Sequence, residues 1–321
     1  MTTKNDVPAT VAGKMKILRD KTPLDHTIQR RLAKDRSHEV RRTLAGRADL
    51  TDEAARLLVL DSDDRIAEAV ARNKSIEPEL LAELARSGSG SMRESAAWNK
   101  SLRDEEIRLL AVDPKPRVRM VIAARQELPA GIIAALATDQ SRDVRSAIIH
   151  RREIPIELIV AGARDPAPSI RMAALIKNEI PAEELVILAG DPIPDVREKL
   201  ARRPNGLPRE AAMALAADSD FRVRVKLAEN DEQLPDEAIE LLARDSEPAI
   251  RLAIAKRRRP LPIAAIVRLA LDRSPNVVSA IAKRVKGLSG HETMAALDAA
   301  DEESKARRKR LANVILSGKG N

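Results

Sequence analysis

Cysteine is absent from the 321 residues, which excludes disulfides, thiolate metal sites and cysteine nucleophiles. Tyrosine is absent too, and Trp98 and Phe221 are the sole aromatics, 1% of the chain. A core without aromatics has to be assembled from Ala, Leu, Ile and Val, which suits thin layers of closely packed helices better than one thick globule. No apolar run approaches the roughly 18 residues of a membrane span. Met1 to Asp20 mix charges with small residues and lack the apolar centre of a signal peptide. A soluble, cytoplasmic protein is the expectation. His26, His38, His150 and His291 are scattered without metal-ligand spacing. A glycine-rich phosphate loop, a nucleophile elbow and a paired catalytic carboxylate motif are all missing. No enzymatic activity and no cofactor are therefore expected.

What the chain does have is a repeat. Starting residues fall at Asp35, Asp61, Ser87, Asp113, Asp139, Asp165 and Asp191, each 26 residues after the last, then at Asp218, Asp245 and Asp272, each 27 after the last. Five places on stands an apolar marker: Val40, Ile66, Met92, Val118, Val144, Ile170, Val196, Val223, Ile250 and Val277. Arg follows it in eight repeats, as Arg41, Arg93, Arg119, Arg145, Arg171, Arg197, Arg224 and Arg251; Ala67 and Val278 are the exceptions. Apolar residues three to five places past the marker, such as Val121, Ile122 and Ala123, form the face of a short first helix. Its start carries Asp, often followed by Pro, which suits orphan N–H groups that need an acceptor or need not exist. A second helix is announced by Leu128-Pro129, Ile154-Pro155, Ile180-Pro181, Leu207-Pro208, Leu234-Pro235 and Leu261-Pro262. The extra residue of the longer repeats lies between the helices, as in Arg203 to Gly206.

The pattern Asp-x4-[Val/Ile]-Arg, then Ala, a polar turn, Leu-Pro and Leu-x2-Leu-Ala-x-Asp resembles the bacterial leucine-rich repeat variant, a relative of HEAT-type helical repeats, from Leu24 to about Leu297. The resemblance implies an all-α, right-handed α-solenoid of about ten repeats. The expected layout is a polar tail over 1–23, the solenoid over 24–300, and a charged capping helix and tail over 301–321. In HEAT-like repeats an Asp and an Arg at this spacing join adjacent units, so these residues are expected to neutralise each other rather than bind phosphate. A cysteine-ligated iron–sulfur module described before such repeats has no counterpart in a chain without cysteine. Some HEAT-like proteins are DNA glycosylases that use aromatics with an Asp; this chain offers only Trp98 with Asp113.

Lys and Arg number 57 against 49 Asp and Glu, a formal net charge of +8, which favours anionic partners. Surplus basic residues recur in the turn after the first helix, six to eight places past the marker: Arg47, Arg72, Lys100, Arg125, Arg151, Lys177, Arg203, Lys256, Arg257, Arg258, Lys283 and Arg284. Aligned along one edge, they would follow a phosphate backbone; the same residue types also suit helix C-termini as caps. Base pairs rise by about 3.4 Å, far less than a helix layer of ~10 Å, so backbone and shape recognition is expected rather than base reading. Trp98 is either an exposed anchor or a ring folded over Gly88-Ser89-Gly90. The expected function is non-catalytic binding by a monomer, to nucleic acid (DNA or RNA) along the basic edge. The alternative is a scaffold for an acidic protein, with an anionic membrane surface a weaker third.

Overall fold

The computed structural model describes residues 7–230 and 234–286. Two compact blocks make up the chain, Met1–Ile154 and Pro155–Asn321. The first holds α1 (Val11–Arg19), α2 (His26–Leu32), α3 (His38–Ala45), α4 (Asp52–Val59), α5 (Asp64–Arg72), α6 (Pro78–Ala85), α7 (Gly90–Ala97), α8 (Asp104–Ala111), α9 (Pro116–Ala123), α10 (Ala130–Ala137) and α11 (Arg142–Ile149). The second holds α12 (Ile156–Ala163), α13 (Pro168–Ala174), α14 (Ala182–Ala189), α15 (Pro194–Ala201), α16 (Arg209–Ala216), α17 (Phe221–Glu229), α18 (Asp236–Leu242), α19 (Pro248–Lys256), α20 (Ile263–Ala270) and α21 (Pro275–Lys286). No strand occurs among the described residues. Odd-numbered helices are the first helices of successive repeats and even-numbered ones the second. Within each block an odd helix packs on the next odd helix and on its even neighbours, as α7 does on α5, α9 and α6. This is an α-solenoid packing: each repeat buries its apolar face against its neighbours.

The markers form the centre of the core. Val40, Ile66, Val118, Val144, Val196, Val223, Ile250 and Val277 are fully enclosed. Leu110 and Leu136 close the layer from the second helices. Buried alanines at the ends of the first helices, Ala45, Ala71, Ala97, Ala123 and Ala201, let backbones approach without a large side chain between them. An 8-residue helix such as α9 is too short to persist alone, so its stability comes from this face.

The Leu-Pro and Ile-Pro signals place Pro at the N-cap of α10, α12, α14, α16, α18 and α20. The acid that opens a repeat stands two residues before the helix N-cap, as Asp113 does before Lys115 and Asp139 before Ser141. Asp113 accepts the backbone N–H of Lys115 at 2.8 Å, and Asp139 that of Ser141 at 2.7 Å, so each makes a tight turn before the helix rather than capping it. The helix then starts on Pro116, Pro168, Pro194 or Pro248, whose missing N–H leaves no orphan donor. In the longer repeat at Arg203 to Gly206 the connection turns through Gly206 at φ 75°, a left-handed conformation that favours glycine.

The Asp–Arg pairs join neighbouring repeats as the resemblance implies. Arg119 donates from Nε and one Nη to both oxygens of Asp139, at 2.6 and 2.7 Å, and from its other Nη to the carbonyl of Asp113 in its own repeat at 2.6 Å. Arg41 with Asp61 and Arg93 with Asp113 repeat the arrangement in the first block. Arg171 with Asp191, Arg197 with Asp218, Arg224 with Asp245 and Arg251 with Asp272 repeat it in the second. The guanidinium groups of Arg41 and Arg119 hold the carboxyls of Asp61 and Asp139 below the ordinary carboxylate range. A depressed carboxyl contributes stability above its unfolded value, so the rungs should be fully effective above about pH 4 and should weaken as the pH falls below it. Urea unfolding followed across that range should show the midpoint dropping on the acid side; a midpoint flat down to about pH 2.5 would mean that the rungs carry no coupled charge.

The stretch read as a polar tail contains a helix. In α1, Met15 and Leu18 are buried, and the helix packs on α3. Leu18 lies 26 residues before Leu44, so α1 is the first helix of an additional repeat, completing what looked like half a unit. Lys14 pairs with Asp35 at 2.6 Å and takes the place of the arginine that would serve that rung. The end of the solenoid past residue 286 and the charged capping helix and tail expected over 301–321 lie outside the described residues.

Candidate functional site

The turn after each odd helix presents three residues, six, seven and eight places past the marker. Where the seventh is Arg or Asn, it reaches back to the preceding repeat. In the first block Arg47 donates to the carbonyls of Leu18 and Asp20, both at 2.6 Å. Asn73 donates to Ala45 and Arg47 at 2.8 and 2.7 Å, and Asn99 to Ala71 and Asn73 at 2.5 and 3.0 Å. Arg125 donates to Ala97 and Asn99 at 3.2 and 2.7 Å, and Arg151 to Ala123 at 3.0 Å and to Arg125. In the second block Arg203 donates to Leu175 and Lys177 at 3.1 and 3.2 Å, and Asn230 to Ala201 and Arg203 at 2.8 and 2.9 Å. Arg257 reaches Ala228 at 3.4 Å and Asn230, and Arg284 reaches Arg259 at 2.8 Å and Arg257.

The acceptors include Ala45, Ala97 and Ala123, the last residues of α3, α7 and α9, whose carbonyls have no partner inside their helix. They sit at the negative end of the helix dipole, which favours a cationic donor. Arg47, Arg203 and Arg257 are only 9%, 6% and 5% exposed. Burial pushes the guanidinium pKa of Arg125, Arg151 and Arg203 down. The basic row expected to face a ligand is therefore engaged, at Arg47, Arg125, Arg151, Arg203, Arg257 and Arg284, with the protein's own backbone. The capping reading of these turns holds at the seventh position, across repeats rather than within one helix. The sign was in the sequence: Asn replaces Arg at 73, 99 and 230. Asn supplies N–H groups without charge, so the position selects a hydrogen-bond donor rather than a charge; Lys177, the seventh residue of its repeat, is the one departure from Arg or Asn.

The sixth and eighth places face solvent. Arg72 is exposed and pairs with Glu68 at 2.5 Å. Trp98 is 46% exposed, and the Arg72 guanidinium lies 5.2 Å from the centre of its ring. It therefore stacks on the preceding repeat instead of folding over Gly88-Ser89-Gly90. Lys74, Lys100 and Arg152 are exposed at the eighth place, with Gln126 interrupting the series. In the second block Lys256 and Arg258 are exposed at the sixth and eighth places, while Lys177, at the seventh, is half-buried; the side chain of Lys283 lies outside the described residues. Asp113, the one acid considered beside Trp98 for a glycosylase reading, is 4% exposed and held by Arg93, so it serves as a rung.

A feature away from the turns was missed. Arg42, Arg65, Glu68, Ala69 and Arg72, from α3 and α5, line an open cleft of about 470 Å³. Arg42 lies two places after the marker Val40, and Arg65 one place before the marker Ile66, both on the exposed face of a first helix. The recurring turn drew attention from these positions, where the repeat imposes no residue type. Among the described residues no group of three or more His, Asp or Glu is placed to hold a metal ion, and no helix is long and apolar enough to cross a membrane.

A solved leucine-rich repeat variant, described as having a novel repetitive structural motif, aligns with this chain at a TM-score of 0.54 and 24% identity, covering 70% of this chain and 88% of that one. The chain shares the fold of that helical-repeat protein. A structure of Kap95p bound to RanGDP aligns at 10% identity and a TM-score of 0.39, covering 99% of this chain and 56% of that one. An engineered protein aligns at 18% identity and 0.28, over 95% and 98%. Scores this low do not bear on the fold. No family model matches the chain, and no curated protein matches it.

Proposed function

We propose that this helical-repeat chain is a non-catalytic binding protein whose partner is an acidic protein segment. The observation that carries the reading is the fate of the seventh turn residue. A repeat protein that tracks a phosphate backbone needs a row of solvated cations. Here that row donates to helix-terminal carbonyls, whereas Arg42 and Arg65, both exposed, line one cleft on the first-helix surface. Extended helical surfaces of this kind commonly serve protein partners.

A second reading keeps nucleic acid, on the strength of Lys74, Lys100 and Arg152, exposed at one register of the first block. Anisotropy of labelled duplex DNA, single-stranded DNA and RNA separates the two. On the first reading each loses affinity steeply between low and near-physiological salt, as nonspecific charge attraction does. Saturable binding of one nucleic-acid form that persists at physiological salt, and is lost in a Lys74→Ser, Lys100→Ser, Arg152→Ser variant, would establish the second reading instead.

A further inference from the structure

We propose that the cleft between α3 and α5, flanked by Trp98, is the anchor for an acidic peptide segment, its carboxylates taken by Arg42 and Arg65 and an adjacent apolar residue by the indole. The proposal rests on the acidic-partner reading and assigns that partner a place. Two neighbouring arginines already have a carboxylate: Arg72 holds Glu68 and Arg117 holds Glu94, each at 2.5 Å. Arg42 and Arg65 line the cleft without an ion pair among the described residues. Guanidinium groups present planar forks that match a carboxylate, and two of them facing one cavity leave a positive charge that the fold does not use.

Charge and shape favour a peptide carboxylate over a phosphoryl group. Glu68 lines the same cleft, and its charge is offset by Arg72. The net positive charge comes from Arg42 and Arg65, which suits singly charged carboxylates better than a group carrying nearly two charges. Trp98 adds apolar surface through Arg72, which lines the cleft and lies over the ring. An exposed aromatic beside paired cations is a combination that anchors protein segments. The cleft, about 470 Å³, has room for a few side chains.

Trp98 is the chain's one tryptophan, so its intrinsic emission reports this site alone. A labelled, tryptophan-free peptide of alternating Glu and Leu is titrated into the full chain, with Trp98 emission and label anisotropy recorded in the same samples. The expected result is a saturable rise in anisotropy with a parallel change in emission. An Arg42→Ala, Arg65→Ala variant should weaken both by about tenfold or more, as loss of two charge contacts does. Arg108→Ala, an exposed arginine on α8 outside the cleft, should change neither. Circular dichroism confirms that the variants fold; both arginines are exposed, and removing them breaks no ion pair. Peptide binding without an emission change, or unaltered by the double variant, overturns the cleft and leaves the acidic-partner reading standing. No peptide binding overturns both. A thymidine oligonucleotide that shifts Trp98 emission at lower concentration than the peptide overturns the peptide assignment.

Discussion

Replacing Arg119 by alanine should destabilise the first block by about 2–3 kcal/mol, between the ~1 kcal/mol of a surface pair and the ~3–5 kcal/mol of a fully buried one. The side chains of Arg119 and Asp139 are 15% and 9% exposed, so Asp139 would keep its charge in a poorly hydrated place. Four hydrogen bonds go with the guanidinium: two to the Asp139 carboxylate, one to the Asp113 carbonyl and a longer one to the Pro114 carbonyl at 3.4 Å. The chain contains its own control. The repeat that lacks the arginine, with Ala67 in its place, is followed by the repeat that lacks the acid, with Ser87. The rung is exchanged as a pair, and Ser87 keeps the turn, accepting the N–H of Ser89 at 3.2 Å. An Arg119→Ala, Asp139→Ser double variant should therefore be clearly more stable than Arg119→Ala alone, with a coupling of about 1–2 kcal/mol in a double-mutant cycle. Urea denaturation measures all four corners, and additive effects would show that Arg119 acts without Asp139.

The second large effect is expected at Arg125. Its Nη groups donate to the carbonyls of Ala97, Asn99 and Lys100, two of them within 3.2 Å. Arg125→Ala leaves the end of α7 without these donors and removes the stem that fills the turn, a loss of about 2 kcal/mol. Arg125→Asn should recover more than half of it, because Asn73 and Asn99 make the same two bonds from the same place in neighbouring repeats. The buried Nε of Arg125 has no hydrogen-bond partner, so the amide forgoes nothing there. Thermal or urea unfolding of the three proteins ranks them. An asparagine variant as unstable as the alanine variant would mean that the position requires charge, and would return Arg125 to the list of candidate ligand contacts.

Much of the fold was legible because repetition averages out local ambiguity. A single Val118-Arg119 could belong to many structures; ten copies in register, each with an apolar face at helical spacing, specify short paired helices that bury that face between neighbours. The partnership of Arg119 with Asp139 was implied by the resemblance to HEAT-type repeats, and the departures at Ala67 and Ser87, which fall on one rung, agree with it. Helix α1 escaped notice because its repeat departs from the pattern where it is most recognisable: Ala9 stands in place of the acid, and Met15 in place of the arginine. Only Leu18 keeps its register, and one buried leucine does not distinguish a helix from a tail.

The candidate site was harder to read. The sequence by itself determined the period, the marker core and an excess of positive charge, while the Asp–Arg rungs were implied by its resemblance to HEAT-type repeats. Those properties follow from residue type at a fixed helical phase, and a repeat states that phase many times. Tertiary structure alone decided which cations face a ligand. Arg125 and Lys100 look alike in the sequence, two basic residues in corresponding turns, yet one turns toward the end of α7 and the other stays in solvent. That choice depends on carbonyls 26 to 28 residues earlier in the chain, brought within reach only when one repeat stacks on the next. Arg42 and Arg65 are the converse case: two unremarkable helical positions that become a site because α3 and α5 lie side by side.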